Sequence, residues 1–180
     1  MDSLVLFLFG KSGTGKSYIG DFIGEILGWY VYHADEDLIE EMKIALSESR
    51  PFTNDMRDRY FTIIAEKIMK LQKIHRRIVV TQGAYKRRHR DYLASNISDI
   101  ELVYVQSSEA LILKRLSDRT AGISASSAKA LNQDFEQPSS QVNTIINNGS
   151  KSDIAKQLSA IAAAMPNKFS QQDAAKLRLC

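Results

Sequence analysis

Apolar residues run without interruption from Leu4 to Phe9 and stop at Gly10. A run of that length with no polar alternation predicts a strand covered on both faces, as in the middle of a parallel sheet. The period then changes: Ile19, Phe22, Ile23, Ile26 and Leu27 recur at helical spacing from Lys16 onward, and Gly28 stands where a helix C-terminus favours glycine. Further apolar or β-rich runs follow at Trp29 to Tyr32, Ile78 to Thr81, Ile100 to Val105 and, more weakly, Val142 to Ile146. Helical patterns lie between them, including Asp55 to Ile74 and Glu109 to Arg119. Strands alternating with helices predict an α/β fold with a parallel sheet.

From Thr120 to Ser140 the chain is rich in Ser, Ala, Gln and Gly, and apolar periodicity is weak until Phe135. This stretch reads as a lid, residues 119–138, with a plain solvated connection as the alternative. A last helix runs from about Ser152 to Ala164 and stops at Met165-Pro166. The domain is therefore placed at residues 1–165, followed by a tail, 166–180, that is either disordered or a short added helix.

At 180 residues and 44% hydrophobic content, the chain fits one domain with a full core. Its one cysteine, Cys180, rules out an intrachain disulfide and offers no thiolate metal site, which fits a reducing cytoplasm. The longest apolar run is far below the roughly 20 residues a bilayer span needs, so a membrane protein is not expected. A net charge of +3 suits anionic ligands but is too small and dispersed to indicate nucleic acid. Nothing in the sequence fixes the oligomeric state, and a homodimer stays open.

Candidate chemistry begins directly after the first strand. Residues Gly10, Lys11, Ser12, Gly13, Thr14, Gly15, Lys16 and Ser17 match Gly-x-x-x-x-Gly-Lys-Ser between a strand and a helix, the context a phosphate-binding loop requires. Its glycines let backbone N–H groups and the helix N-terminus face phosphate oxygens. Lys16 is then placed to reach the β- and γ-phosphates of ATP, and the Ser17 hydroxyl to ligate Mg²⁺. Ile78 to Gln82 lacks the acidic residue of a Walker B strand, and no Asn-Lys-x-Asp motif occurs. GTPases and motor ATPases are thereby disfavoured, and a small-molecule kinase is favoured.

Acceptor-side candidates stand where strands end. Asp35 closes the second strand at the carboxyl edge of the sheet, where a carboxylate can accept a hydroxyl proton, and Asp37 is a rival. Arg57 falls in the first turn of a helix capped by Asn54 or Asp55, where a cation opposes the helix dipole unless it serves an anion. Gly83 leaves room after the third strand, and Lys86 and Arg90 share a helix face within a basic run. Arg115 and Arg119, four apart at the lid entrance, could stack on adenine and neutralise the migrating phosphoryl. His33, His75 and His89 have no metal-ligand spacing.

Assembled, these residues resemble the small, thermoresistant-type gluconate kinase family, related to shikimate and nucleoside monophosphate kinases. The resemblance spans about Leu4 to Ala162: the phosphate loop, Asp35, the Pro51 to Arg57 segment, Ala84 to Leu93, Arg115 to Arg119, and Glu136-Gln137-Pro138. It implies a three-layer α/β/α P-loop kinase with a five-stranded parallel sheet and a small lid. It also implies ATP- and Mg²⁺-dependent phosphorylation of a carbohydrate or sugar-acid hydroxyl, gluconate-like. The roles it implies are Lys16, Asp35 and Arg119 in catalysis, Arg115 with the loop on the nucleotide, and Asp35, Arg57, Gly83, Lys86 and Arg90 on the acceptor. Departures fall on the acceptor side: His33, Leu38 and Gly83 stand where the family has an acidic residue, histidine and serine, and Ala121 to Ser124 replaces its Gly-His-Phe. Rival readings are a kinase for shikimate or a nucleotide, or a catalytically degenerate ATP-binding module.

Overall fold

The structure is a computed structural model, and it describes residues 3–118 and 125–180. Strand β1 (Leu4–Phe9) lies in the middle of a five-stranded sheet, with β3 (Arg77–Thr81) and β2 (Tyr30–His33) on one side and β4 (Ile100–Gln106) and β5 (Asn143–Ile146) on the other. Every pairing is parallel. All six residues of β1 are fully buried because alternate side chains enter two cores. Leu4, Leu6 and Leu8 pack with α1 (Lys16–Leu27), α7 (Lys151–Ala164) and α8 (Gln171–Arg178), whereas Val5, Phe7 and Phe9 pack with α3 (Asn54–Gln72) and α4 (Arg87–Asn96). Burial of both faces is the physical reason the strand shows no polar alternation.

The predicted strands and the helices α1, α3, α5 (Glu109–Ser117) and α7 appear within a few residues of their sequence positions. Three elements were less legible. The turn after β2 is a short 3-10 segment (Ala34–Asp37), followed by α2 (Glu40–Ser47). The stretch read as a lid contains a regular helix, α6 (Ala125–Gln133), whose Ala128 packs against Ile112 and Leu116 of α5. Residues 119–124 of that stretch, Arg119 included, lie outside the described residues.

The tail resolves to the helical alternative. A capping box between Ser170 and Asp173 starts α8, the indole of Trp29 donates to Asp173 (3.1 Å), and Phe169 and Leu177 are buried beneath it. Trp29 and Phe169 also meet ring to ring at 5.3 Å.

Candidate active site

β1 delivers the chain into the phosphate loop at Gly10, whose φ is +151° and whose Cβ, were there one, would stand 2.4 Å from the Val105 carbonyl oxygen. Gly15, at φ +90°, ends the loop as the N-cap of α1, with the Asn147 amide 2.2 Å from where a Cβ would be. An L side chain at either position meets both strain and collision. Behind the loop, Arg115 donates to the carbonyls of Gly13 (3.4 Å) and Thr14 (3.3 Å), Asn147 Nδ2 donates to Thr14 (2.9 Å), and the Thr14 hydroxyl donates to Lys11 (2.9 Å). These bonds occupy loop carbonyls and leave amides in front. The N–H groups of Gly13, Gly15 and Ser17 find no protein acceptor among the described residues, and all three residues line a cavity of about 910 Å³. Unbonded amides at a helix N-terminus form an anion cradle. Lys16 also lines the cavity and reaches back to the carbonyls of Gly10 (3.0 Å) and Lys11 (2.9 Å). A second cavity, about 800 Å³, opens beyond Lys11 and Thr14, between Tyr104, Ile112 and Gln137.

Asp35, Arg57 and Gly83 share the wall of the first cavity with Lys16 and Ser17. Gln82 Nε2 donates to Asp35 Oδ1 (3.3 Å) while its Oε1 accepts from the Ala84 amide (2.6 Å), so the carboxylate is steadied from one side. The rival Asp37 is engaged elsewhere: it accepts from the Tyr32 hydroxyl (2.7 Å) and lies 3.8 Å from the Lys67 ammonium. Burial, then the hydrogen bond to Asp37, holds the Tyr32 phenol far above its ordinary pKa. Tyr60, also in the wall, is held far above its own by burial and by Asp35, and it donates to the Ala34 carbonyl (2.6 Å). Both phenols therefore stay protonated donors.

Thr53, rather than Asn54 or Asp55, caps α3 by accepting from the Met56 amide (3.2 Å). Arg57 is 7% exposed, and one guanidinium nitrogen meets Asp134 Oδ2 at 2.7 Å. That hydrogen bond, followed by burial in the opposite sense, leaves the Asp134 carboxyl below the ordinary carboxylate range.

Three predicted site residues face other tasks. Arg90 is only 4% exposed and absent from the cavity wall: it donates to the carbonyls of Ala84 (2.7 Å), Tyr85 (3.1 Å) and Glu136 (2.8 Å) and lies over the rings of Phe9 and Phe135. Lys86 stands at the N-cap position of α4, without a side-chain capping bond, and approaches Asp134 (3.8 Å) and Glu136 (3.5 Å). The shared face of the two points at the 134–136 segment because that segment offers carboxylates and bare carbonyls. Arg115 is turned into the back of the phosphate loop, where it also donates to Ser107 (2.9 Å) and Asn147 (3.1 Å). His33, the substituted acidic position, is bonded to Thr81 (2.8 Å) and Asp21 (2.9 Å), outside the cavity wall, whereas Leu38 lies in it.

Sequence reasoning missed Tyr85, His89 and Asn132. The Ser12 amide is shared by Tyr85 Oη (3.0 Å) and Asn132 Oδ1 (2.8 Å), and Asn132 Nδ2 returns a bond to the Ser12 carbonyl (3.2 Å). Helix α6 is thus fastened to the phosphate loop. His89 lies in the wall of the first cavity, and its spacing from the buried Leu93 marks the inner face of α4. No group of three or more His, Cys, Asp or Glu residues able to hold a metal ion occurs among the described residues. No helix there is long and apolar enough to cross a membrane.

A family model described as shikimate kinase matches residues 12–166. A probable gluconokinase of Mus musculus is 30% identical over 98 residues, which cover 54% of this chain and 53% of that protein. A gluconokinase of Gluconobacter oxydans is 26% identical over 114 residues, covering 63% and 64%. The chain spans about half the length of the mammalian relatives it matches. Among solved structures, a gluconokinase from Sinorhizobium meliloti aligns over 91% of this chain and 94% of its own, with a TM-score of 0.75 and 26% identity.

Proposed function

The chain belongs to the shikimate kinase family, and from that premise we propose that it transfers the γ-phosphate of ATP to a hydroxyl of a sugar acid, with a gluconate-like acceptor. The observation that carries this reading is the juxtaposition in one cavity of the phosphate cradle, the Asp35 carboxylate and the nearly buried Arg57 guanidinium. A donor phosphate, a proton acceptor and a cation suited to a carboxylate are the groups such a transfer needs. The gluconokinase relatives support the choice of a sugar acid.

In this reading the amides of Gly13, Gly15 and Ser17 hold phosphate oxygens, and Lys16 exchanges its loop carbonyls for the β- and γ-phosphates. The Ser17 hydroxyl, at the first turn of α1 in the cavity wall, fits a ligand position for Mg²⁺. A bound Mg²⁺ supplies charge neutralisation between the phosphates. Asp35 orients the acceptor hydroxyl and takes its proton, and Arg57 clamps the acceptor carboxylate with the nitrogens that Asp134 leaves open. The base end of the nucleotide enters the second cavity, across the phosphate loop from the acceptor. Residues 119–138 serve as the lid, with Asn132 as its described contact to the loop.

The test is ADP release from ATP with sugar acids, neutral sugars, polyols, shikimate and nucleotides offered in parallel. Turnover confined to a sugar acid is the expected result. Turnover of shikimate or a nucleotide instead moves the acceptor to another class, and ATP binding without acceptor-dependent turnover leaves a binding module.

A further inference from the structure

His89 is 4% exposed, in the first turn of α4, and its ring lies parallel to Phe61 at a centroid distance of 4.5 Å. Its Nε2 meets Asp58 Oδ1 at 2.8 Å, and Asp58 also accepts from Arg88 (2.6 Å). The hydrogen bond from His89, then the Arg88 charge, keeps the Asp58 carboxyl below its usual range, so Asp58 is an ionised acceptor and Nε2 must carry the proton. In the neutral ring Nδ1 then bears the lone pair. It has no protein partner among the described residues. No buried side-chain nitrogen or oxygen lacks a partner there. Nδ1 therefore reaches open space, and the space beside His89 is the first cavity. Burial, opposed by the hydrogen bond and charge of Asp58 and helped by the Arg88 and Arg57 charges, leaves the imidazole below its ordinary pKa, which favours the neutral ring at neutral pH.

A hydrogen-bond acceptor with a fixed tautomer, held by an aromatic face and a carboxylate, is suited to a hydroxyl group and not to a carboxylate. We propose that His89 is a specificity-determining residue whose Nδ1 accepts a hydrogen bond from a hydroxyl of the phosphate acceptor, one other than the hydroxyl that receives the phosphate, with Asp58 as its positioning residue. The inference rests on the reading of the first cavity as the acceptor site. It gives that site a second anchor: Arg57 reads the charged end of the acceptor and His89 reads one hydroxyl along its chain. A site that pairs a substrate hydroxyl discriminates against the analogue lacking it, because the protein group is left unpaired.

The experiment uses the full chain, ATP, the acceptor that the wild type turns over best in the screen above, and monodeoxy analogues of that acceptor, each lacking one hydroxyl. His89→Phe keeps the stacking on Phe61 and removes the lone pair, and Asp58→Asn keeps the ring while releasing its tautomer. For wild type, one deoxy analogue loses about ten-fold in kcat/KM relative to the parent, the size of one lost hydrogen bond. His89→Phe loses a similar factor on the parent, mostly in acceptor KM and with the ATP KM unchanged, and no longer distinguishes that analogue. Asp58→Asn shows the same pattern more weakly. His89→Phe that retains the wild-type deoxy profile and acceptor KM overturns the proposal. If His89→Phe misfolds, Asp58→Asn decides by the same profile. An acceptor that proves to be a neutral polyol overturns the sugar-acid reading and leaves the His89 profile to be read on that polyol. No turnover of any acceptor overturns both.

Discussion

In the proposed reading Asp35 and Arg57 have separate tasks at the acceptor, and their substitutions separate kinetically. Asp35→Asn preserves shape and the bond from Gln82 but removes the proton acceptor. It is expected to lower kcat by at least about 100-fold, the usual scale of general-base loss, while the ATP KM stays within about three-fold. Unchanged kcat transfers the role away from Asp35. Arg57→Met keeps much of the buried volume and removes the charge, so steady-state kinetics is expected to show a rise in KM for an anionic acceptor of about ten-fold or more and little change for a neutral one. The same arginine sets a pH dependence. Asp134, whose carboxyl Arg57 holds below the ordinary range, contributes stability that is full above the unfolded-state pKa of about 3.9 and is lost as pH falls through the lower folded value. Asp134 is 46% exposed in its side chain, so the contribution is under about 1 kcal/mol. Urea midpoints of wild type and Asp134→Asn are expected to differ by a constant amount above about pH 5 and to converge in acid. A gap that widens as pH falls contradicts the pairing.

At the scale of elements, what could be read from the sequence follows how each segment is buried. β1 and α1 were legible because one is covered on both faces and the other on one stripe, and each burial mode leaves its own period. Helix α6 was not, because its buried residues are few and mixed, Ser127, Ala128 and Leu131, too few to set a clear period, and its placement depends also on Asn132 bonding to the phosphate loop. Helix α8 was half legible: Ser170 and Asp173 form a capping box, but only Leu177 of its own residues is a large buried apolar side chain. The basic run at the start of α4 shows the same limit. Four-residue spacing put Lys86 and Arg90 on one face, yet which face meets the cavity depends on α3 and the 134–136 segment, and it is His89 that enters. Helix α8 carries a stability prediction of its own. Leu177→Ala removes a side chain 2% exposed beneath Trp29 and Phe169, and urea unfolding is expected to lose about 2–4 kcal/mol with kinetics unchanged. A loss under about 0.5 kcal/mol would mean that α8 does not share the core.

Across the whole molecule, the carboxyl edge of the sheet divides two cavities with the phosphate loop between them. Asp35 and Arg57 are on one side, and Tyr104 and Gln137 are on the other. In a parallel sheet the segments that leave the carboxyl ends of the strands gather at this edge, which brings together residues as distant in sequence as Ser12 and Asn132. The phosphate loop was legible because it lies in eight consecutive residues, Gly10 to Ser17. The side proposed for the acceptor was legible only in part, since it is assembled from α3, α4 and the ends of β2 and β3. The central claim is that the two cavities serve one transfer. Its most direct measurement is the fate of label from ATP marked in the γ-phosphate, incubated with the protein, Mg²⁺ and gluconate. The account predicts label covalently held in a sugar-acid phosphate, at a rate that falls at least about 100-fold with Asp35→Asn. Label that stays in ATP, or is released only as inorganic phosphate, would contradict it.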